Sequence, residues 1–371
     1  AQPLDDPNEL VALARNFGLP VMLKAAAGGG GKGMRIVHSE DELRPALEAA
    51  RREALSSFGD GAVYVEKAIV NPRHIEVQIL ADSHGNAVYV GDRECSVQRR
   101  HQKVIEEAPA PNLSDATRKR MGEMAVAAAR AVDYVGAGTV ECLVDVEENF
   151  YFLEMNTRLQ VEHCVTEEVF GVDLVRAQIR VAAGQALEWT QDELQARGHA
   201  FEMRLYAEDP YENYLPSPGP LTVYRPPRGP GVRVDDGVEQ GAVISSLYDP
   251  MIAKLIVHAE SREAAIARSR AALREYEVEG IRTNLGLLDF VLESESFVSG
   301  RYHTGILGEL GTPERPQATD DQALVSRVLA VLAIEDGAAA AQTSTSAGGA
   351  EGEHSRWMLA GLRQQLGGRL A

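Results

Sequence analysis

Residues 154–163 of this chain read EMNTRLQVEH, directly after the apolar run FYFL at 150–153. Glu154, Asn156, Arg158, Gln160 and Glu162 occupy every second position. An extended segment points alternate side chains the same way, so one face is expected to carry two acids, one base and two amides. That row holds candidates for metal ligands, an anion clamp and a proton acceptor. Glu141 belongs with it. A tight hairpin turn at Glu147-Glu148 sets Glu141 opposite Glu154, and like charges directly opposed across strands are destabilising. A divalent cation removes the conflict, and oxygen-only ligands suit Mg²⁺; two acids at a wet strand edge is the other reading.

Two further stretches bear on anions. KAAAGGGGKGMRIV (24–37) satisfies GxGxxG at Gly28, Gly30 and Gly33, but a dinucleotide fold needs a helix straight after the last glycine, and MRIVH reads as a strand. A P-loop needs Ser or Thr after its Lys, whereas Gly33 follows Lys32. Both are excluded. What remains is strand, glycine loop, strand: a hairpin whose bare amides can fold over phosphates, with Lys24 on the strand before it in reach of the same anion. CSVQRRHQKVI (95–105) holds two Arg, a Lys and a His with no acid. It reads either as an anion site or as a solvated basic loop paired with Glu106 and Glu107, and by itself it favours the loop.

These residues need elements to position them. A helix is expected over 8–17, then strands over 21–25 and 34–38. Ser39 with Glu42 forms a capping box for a helix running to about Ser57. Strands follow over 63–69, 73–80 and 86–90, the last two flanking the turn signal DSHG, with Asn71-Pro72 as a turn before them. An Ala-rich helix spans 115–134, a hairpin 138–155, and a helix 166–183. From Gly198 short strands with Pro and Gly punctuation lead to helices at 261–276 and 284–293. Residues 335–353 (EDGAAAAQTSTSAGGAEGE) read as a flexible linker.

With 371 residues, 44% hydrophobic and 25% charged, the chain has the composition of a globular protein large enough for two or three domains. A formal net charge of −18 argues against nucleic acid and anionic membrane as partners and requires a local basic site for any anionic substrate. The apolar runs are too short to cross a bilayer. Three cysteines without CxxC spacing argue against zinc and a disulfide framework and fit a reducing compartment.

KAAAGGGGKGMR, EKAIVNPRHIEVQ, DRECSVQRRHQKVIEEAPAP, FLEMNTRLQVEH, RLYAEDP and YDPMIAKL follow one another in the order, and at close to the spacing, found in biotin carboxylases. Over about residues 8–310 the chain resembles the biotin-carboxylase part of an acyl-CoA carboxylase α-subunit. The resemblance implies an α+β, ATP-grasp fold, a glycine-loop lid with a central antiparallel sheet, followed by a biotin carboxylase C-terminal domain. The corresponding segments are 1–68 for the lid, 69–196 for the core with the metal and bicarbonate site, 197–312 for the C-terminal domain, and 313–371 for a linker and the start of a downstream domain. It implies that ATP activates bicarbonate to carboxyphosphate, which carboxylates the ureido nitrogen of carrier-bound biotin.

Carried over by motif, Lys24 meets ATP phosphate, Gly29, Gly30 and Gly31 close over it, and Met34 follows the loop. Glu66, Lys67 and Ile69 hold adenine with His74 on the ribose side, and Gln98, His101 and Leu143 lie nearby. Glu141, Glu154 and Asn156 form the Mg²⁺ (or Mn²⁺) site. Lys103, Arg158, Gln160 and Val161 hold bicarbonate, Glu162 beside Arg158 is the general base, and Arg204 steadies the enolate-like oxygen of biotin. Asp249 takes a supporting position, and His163 is a hydrogen-bonded structural residue. The implied partners are a biotin carboxyl carrier and a carboxyltransferase, with a homodimer in the full-length protein, in the cytoplasm or an organelle matrix. The chain departs from the family pattern at Ala68, where an aromatic residue is usual, and at Cys164, where proline is usual. The family's N-terminal domain and a Met-Lys-Met biotinylation motif are both missing, so the chain is expected to be truncated at both ends and weakly active or inactive by itself. The alternatives are another ATP-grasp ligase of the carbamoyl-phosphate type and a non-catalytic nucleotide-binding subunit.

Overall fold

Two sheets carry the functional residues, and each forms because its strands have one apolar face. A computed structural model describes residues 7–27, 34–100 and 102–315. The first sheet is three-stranded: β1 (Val21–Ala25) lies between β2 (Met34–Val37) and β3 (Val63–Lys67), all antiparallel. Helices α1 (Pro7–Phe17) and α2 (Glu40–Phe58) cover it. Leu10, Leu23, Leu43 and Leu47 are buried between these layers, each contributing about 1.5–3 kcal/mol by removal from water. The strands flanking the glycine run are those expected; the run itself, 28–33, lies outside the described residues. The capping box does not form. Ser39 takes the N-cap position without a side-chain bond, and Glu42 Oε2 accepts from the His38 N–H instead.

The second sheet has eight strands, every neighbour antiparallel. In chain order these are β4 (Arg73–Ala81), β5 (Ala87–Arg99), β6 (Gln102–Ala108), β7 (Gly136–Val144), β8 (Phe150–Asn156), β9 (His199–Tyr206), β10 (Val232–Asp236) and β11 (Met251–Ala259). Across the sheet the order is β10-β11-β9-β6-β5-β4-β7-β8. One face is apolar. Ile75, Val77 and Ile79 pack under α3 (Asp115–Ala131) at Met121, Ala125 and Ala129. Phe201, Met203 and Leu205 pack with Leu255 and Val257 under α6 (Arg262–Glu275) and α7 (Leu285–Glu293), as defined in chain order after α4 (His163–Phe170) and α5 (Leu174–Ala182). Period-two alternation therefore sends His74, Glu76 and Gln78 of β4, and Glu202 and Arg204 of β9, to the opposite face.

Three expectations change here. The strand expected at 86–90 runs on to Arg99 and pairs with β6, so the basic stretch 95–105 is a hairpin in the sheet and not a solvated loop. Glu107 pairs with His199 and Arg262, and Glu106 with Arg204, rather than with the local bases. The helix expected over 166–183 is two. Gly171 takes a left-handed cap at φ +66°, its N–H bonding Glu167 O, and the Asp173 carboxylate then accepts from the Arg176 N–H at 2.8 Å to start α5.

Candidate active site

The acids meet as the hairpin register requires, by a different route. The turn is wider than two residues, Asp145 N–H donating to Asn149 O across it. Val144 faces Phe150 and Cys142 faces Phe152; a register shift between Cys142 and Glu141 then restores Glu141↔Glu154, Val140↔Met155 and Thr139↔Asn156. A bulge of this kind re-aims the side chains beyond it.

The row 154–163 is not one extended strand. β8 ends at Asn156, and Glu162 already caps α4. β8 is the edge strand, its ladder with β7 stops at Thr139↔Asn156 although β7 itself begins at Gly136, and there the chain folds back over the polar face. Gln160 and Glu162 are buried, while Arg158 stays exposed. Arg158 donates to Asn156 Oδ1 at 3.3 Å and Leu159 O at 3.4 Å, not to Glu162. The cations on Glu162 are Lys103, 2.5 Å from Oε1, and Arg204, 2.9 Å from Oε2.

Lys103 reaches this position through a second bulge. Val97 pairs with Ile105 but Gln98 with Lys103, leaving Val104 extra on β6. Val104 and Ile105 both enter the apolar core, and Lys103 and Glu106 share the polar face. The Lys103 ammonium also bonds Glu76 and lies 3.4 Å from Glu141 Oε1. Burial opposes its charge, yet Glu76 and Glu162 raise its pKa well above the usual lysine value. Glu76 is held low, Lys103 and Arg93 outweighing complete burial. Glu141 lies well below the carboxylate range: burial would raise it, but His74 at 3.2 Å, Lys103 and the Gln160 amide at 2.8 Å stabilise the anion. Arg93, fully buried, ties the floor together by donating to Glu76, Gln78, Thr139, Gln160 and Thr166.

The other expected residues are placed as follows. Lys24 pairs with Glu66 at 2.5 Å in the small sheet, where Met34 is the cross-strand partner of Lys24 and Lys67 of Val21. Ile69 follows β3 and is half-buried. His74 faces Leu143 across β4–β7, and its Nε2 lies among the acids, 3.5 Å from Glu76. Gln98 is the cross-strand partner of Lys103. The Val161 carbonyl accepts from Lys254 Nζ at 2.9 Å. Asp249 accepts from the Met251 N–H within its own turn. His163 Nδ1 lies 2.7 Å from Gln160 O, a structural bond as expected. Gly29, Gly30, Gly31 and His101 lie outside the described residues.

Asn156 donates to Glu141 at 2.9 Å. Glu141 and the exposed Glu154, in register with Asn156 beside them, offer the hard oxygen donors that Mg²⁺ takes, so the residues fit that ion. Four members of the cluster were missed from sequence: Glu76, Arg93, Glu106 and Glu202. Glu76 had a legible signal, since His74, Glu76 and Gln78 break an otherwise apolar strand at period two.

A small three-stranded sheet whose first two strands flank a glycine run in the sequence, with a large antiparallel sheet whose polar face carries acids, a lysine and arginines, is the arrangement of the ATP-grasp class. Residues 1–190 match the family described as Carbamoyl-phosphate synthase L chain, ATP binding domain, and residues 202–309 the Biotin carboxylase C-terminal domain. Biotin carboxylase of Halalkalibacterium halodurans is 52% identical over 304 residues, 82% of this chain and 67% of that protein. The propionyl-CoA carboxylase alpha chain of Ruegeria pomeroyi is 53% identical over 326 residues, 82% of this chain and 48% of its own length. This chain thus spans about half of that relative. Among solved structures, the biotin carboxylase domain dimer of Hydrogenobacter thermophilus 2-oxoglutarate carboxylase, in complex with MgADP, ADP and bicarbonate, is 43% identical at a TM-score of 0.79, covering 84% of this chain and 70% of that one. The Campylobacter jejuni biotin carboxylase–β,γ-ATP complex is 48% identical, also at 0.79, over 83% and 68%. The chain belongs to the biotin carboxylase family.

Proposed function

We propose that this chain is the part of an acyl-CoA carboxylase that carboxylates carrier-bound biotin at the expense of ATP. One observation carries the reading: an unbroken run of ion contacts from Glu141 through Lys103 to Glu162 and on to Arg204. It joins residues suited to a metal–phosphate site to residues suited to an acceptor site. Lys24, in the lid sheet, neutralises ATP phosphate. Glu141 and Glu154, with Asn156 beside them, hold Mg²⁺, which when bound offsets the negative charge of the phosphates. Lys103 and Arg158 orient bicarbonate, a planar oxyanion matched to an ammonium and a guanidinium fork, and Gln160 and the Val161 backbone complete that pocket. Glu162 takes the proton of bicarbonate as its oxygen attacks the γ-phosphorus. That P–O bond forms while the bond to ADP breaks, giving carboxyphosphate. Carboxyphosphate then splits to CO₂ and phosphate, the released phosphate takes the ureido N–H proton of biotin, and the freed nitrogen attacks CO₂. Arg204 stabilises the charge on the ureido oxygen. The partners are a biotin carrier and a carboxyltransferase, and the full-length protein is a homodimer of the cytoplasm or an organelle matrix; among the described residues no helix is long and apolar enough to cross a membrane.

Bicarbonate- and biotin-dependent ADP release by the full-length protein tests the reading. Glu162→Gln keeps the shape and removes the base, and is expected to lower turnover by about 10²–10⁴-fold. Full activity in that variant refutes the assignment of the base, and ADP release indifferent to biotin favours a different ATP-grasp ligase.

A further inference from the structure

Behind Arg204 lies a pair of carboxyls that the proposed reaction does not use. Glu106 of β6 and Glu202 of β9 are direct cross-strand partners, both fully buried on the polar face. Two ionised carboxylates so placed repel each other. Neither oxygen of Glu202 has a hydrogen-bond partner among the described residues, and its nearest cation, Lys254 Nζ, is 3.9 Å away. Lys254 is itself engaged by Cys164 at 2.9 Å, with Asp235 at 3.6 Å. Burial, then the Glu106 charge, drives Glu202 well above the carboxylate range. Burial pushes Glu106 to about 7 against the opposing pull of Arg204. Of the two, Glu106 is the one that faces the guanidinium.

Arg204 Nη2 lies between two acids: it donates to Glu162 Oε2 at 2.9 Å and makes an ion contact of 2.5 Å, without hydrogen-bond geometry, to Glu106 Oε1. Its Nε is buried with no hydrogen-bond partner among the described residues. An unsatisfied buried donor costs roughly 1–3 kcal/mol, and here it stands beside the residue assigned as base. We infer that Glu106, paired across the strands with Glu202, is a positioning residue: it anchors one end of Arg204, which already bonds Glu162, so that the Nε–H stays free for the acceptor's oxygen. This rests on the biotin-carboxylation reading.

A double-mutant cycle in the full-length protein tests it, with biotin as acceptor. Glu106→Leu is expected to lower kcat of biotin-dependent ADP release by about 10–100-fold, the loss typical of a displaced catalytic group, with KM for ATP within about twofold. In an Arg204→Gln background the same change is expected to matter by less than about twofold, because its route of action is gone. If Glu106→Leu does not fold, Glu106→Gln carries the cycle: it keeps an oxygen for Arg204, so a smaller loss is expected that likewise vanishes without Arg204. Equal fold-losses in both backgrounds overturn the inference alone. A native protein without biotin-dependent turnover overturns both it and the reading beneath it.

Discussion

Glu106 and Glu107 are adjacent, equally buried and oppositely perturbed, so environment and not residue type decides what each does. Glu107 points to the apolar side of the sheet, where it accepts from His199 at 2.6 Å, Arg262 at 2.7 and 2.9 Å, and Tyr302 at 2.5 Å. Burial alone would raise its pKa; the hydrogen bonds and charges of His199 and Arg262 bring it down to about 2. A carboxyl depressed on folding adds stability above its unfolded pKa, near 4.5, and loses it as pH falls toward 2. The linked contribution is roughly 3 kcal/mol at neutral pH. Urea unfolding of native protein and Glu107→Gln is therefore expected to show a gap of about that size at pH 7, shrinking to under about 1 kcal/mol near pH 2.5. A gap constant with pH would rule out the ionised anchor. No periodicity in EEAPAP distinguishes the two acids; their partners come from β9 and α6, about a hundred or more residues later.

At the scale of elements, the strands were legible wherever one face is apolar. The helix over 7–17, the strands of the small sheet, β4 and the α3 helix follow from alternation or helical spacing. What sequence could not show were the bulges. Tight-turn pairing set Glu141 opposite Glu154, yet the chain makes a wider turn and corrects the register with a shift beside Glu141. Nothing in CSVQRRHQKVI announces that Val104 is the extra residue that turns Lys103 inward, so the same letters read as a loop. The alternation in EMNTRLQVEH was real, but it signalled a strand end followed by a fold-back rather than one long strand: β8 leaves its ladder with β7 at Asn156, three residues short of where β7 begins. The entry to β9 is similarly exacting. Gly198 has φ +69°, and a Cβ there would stand 2.2 Å from the Ala259 carbonyl oxygen. Gly198→Ala combines left-handed strain with a backbone clash and is expected to cost about 2–4 kcal/mol, lowering Tm by roughly 3–5 °C in a thermal melt. An unchanged Tm would mean that the β9–β11 junction is not rigid at this point.

Across the described residues, four cations of an acidic chain gather on the polar face of one continuous sheet. Lys103, Arg93, Arg204 and Lys254 come from four strands, β6, β5, β9 and β11, and converge under the segment that returns from β8. The strands on either side of residue 197 share that sheet, so the acids near β7 and the arginine on β9 are held in one frame. This arrangement suits a reaction in which one substrate's phosphate and another's carboxyl must meet. It also dictates the fate of one oxygen atom. If bicarbonate attacks the γ-phosphorus, the oxygen it contributes stays on phosphorus when carboxyphosphate splits. Turnover of the full-length protein with ATP, biotin and ¹⁸O-labelled bicarbonate is expected to place one bicarbonate oxygen in each inorganic phosphate released, read by mass spectrometry. Phosphate carrying only unlabelled oxygen from water would contradict formation of carboxyphosphate at this site.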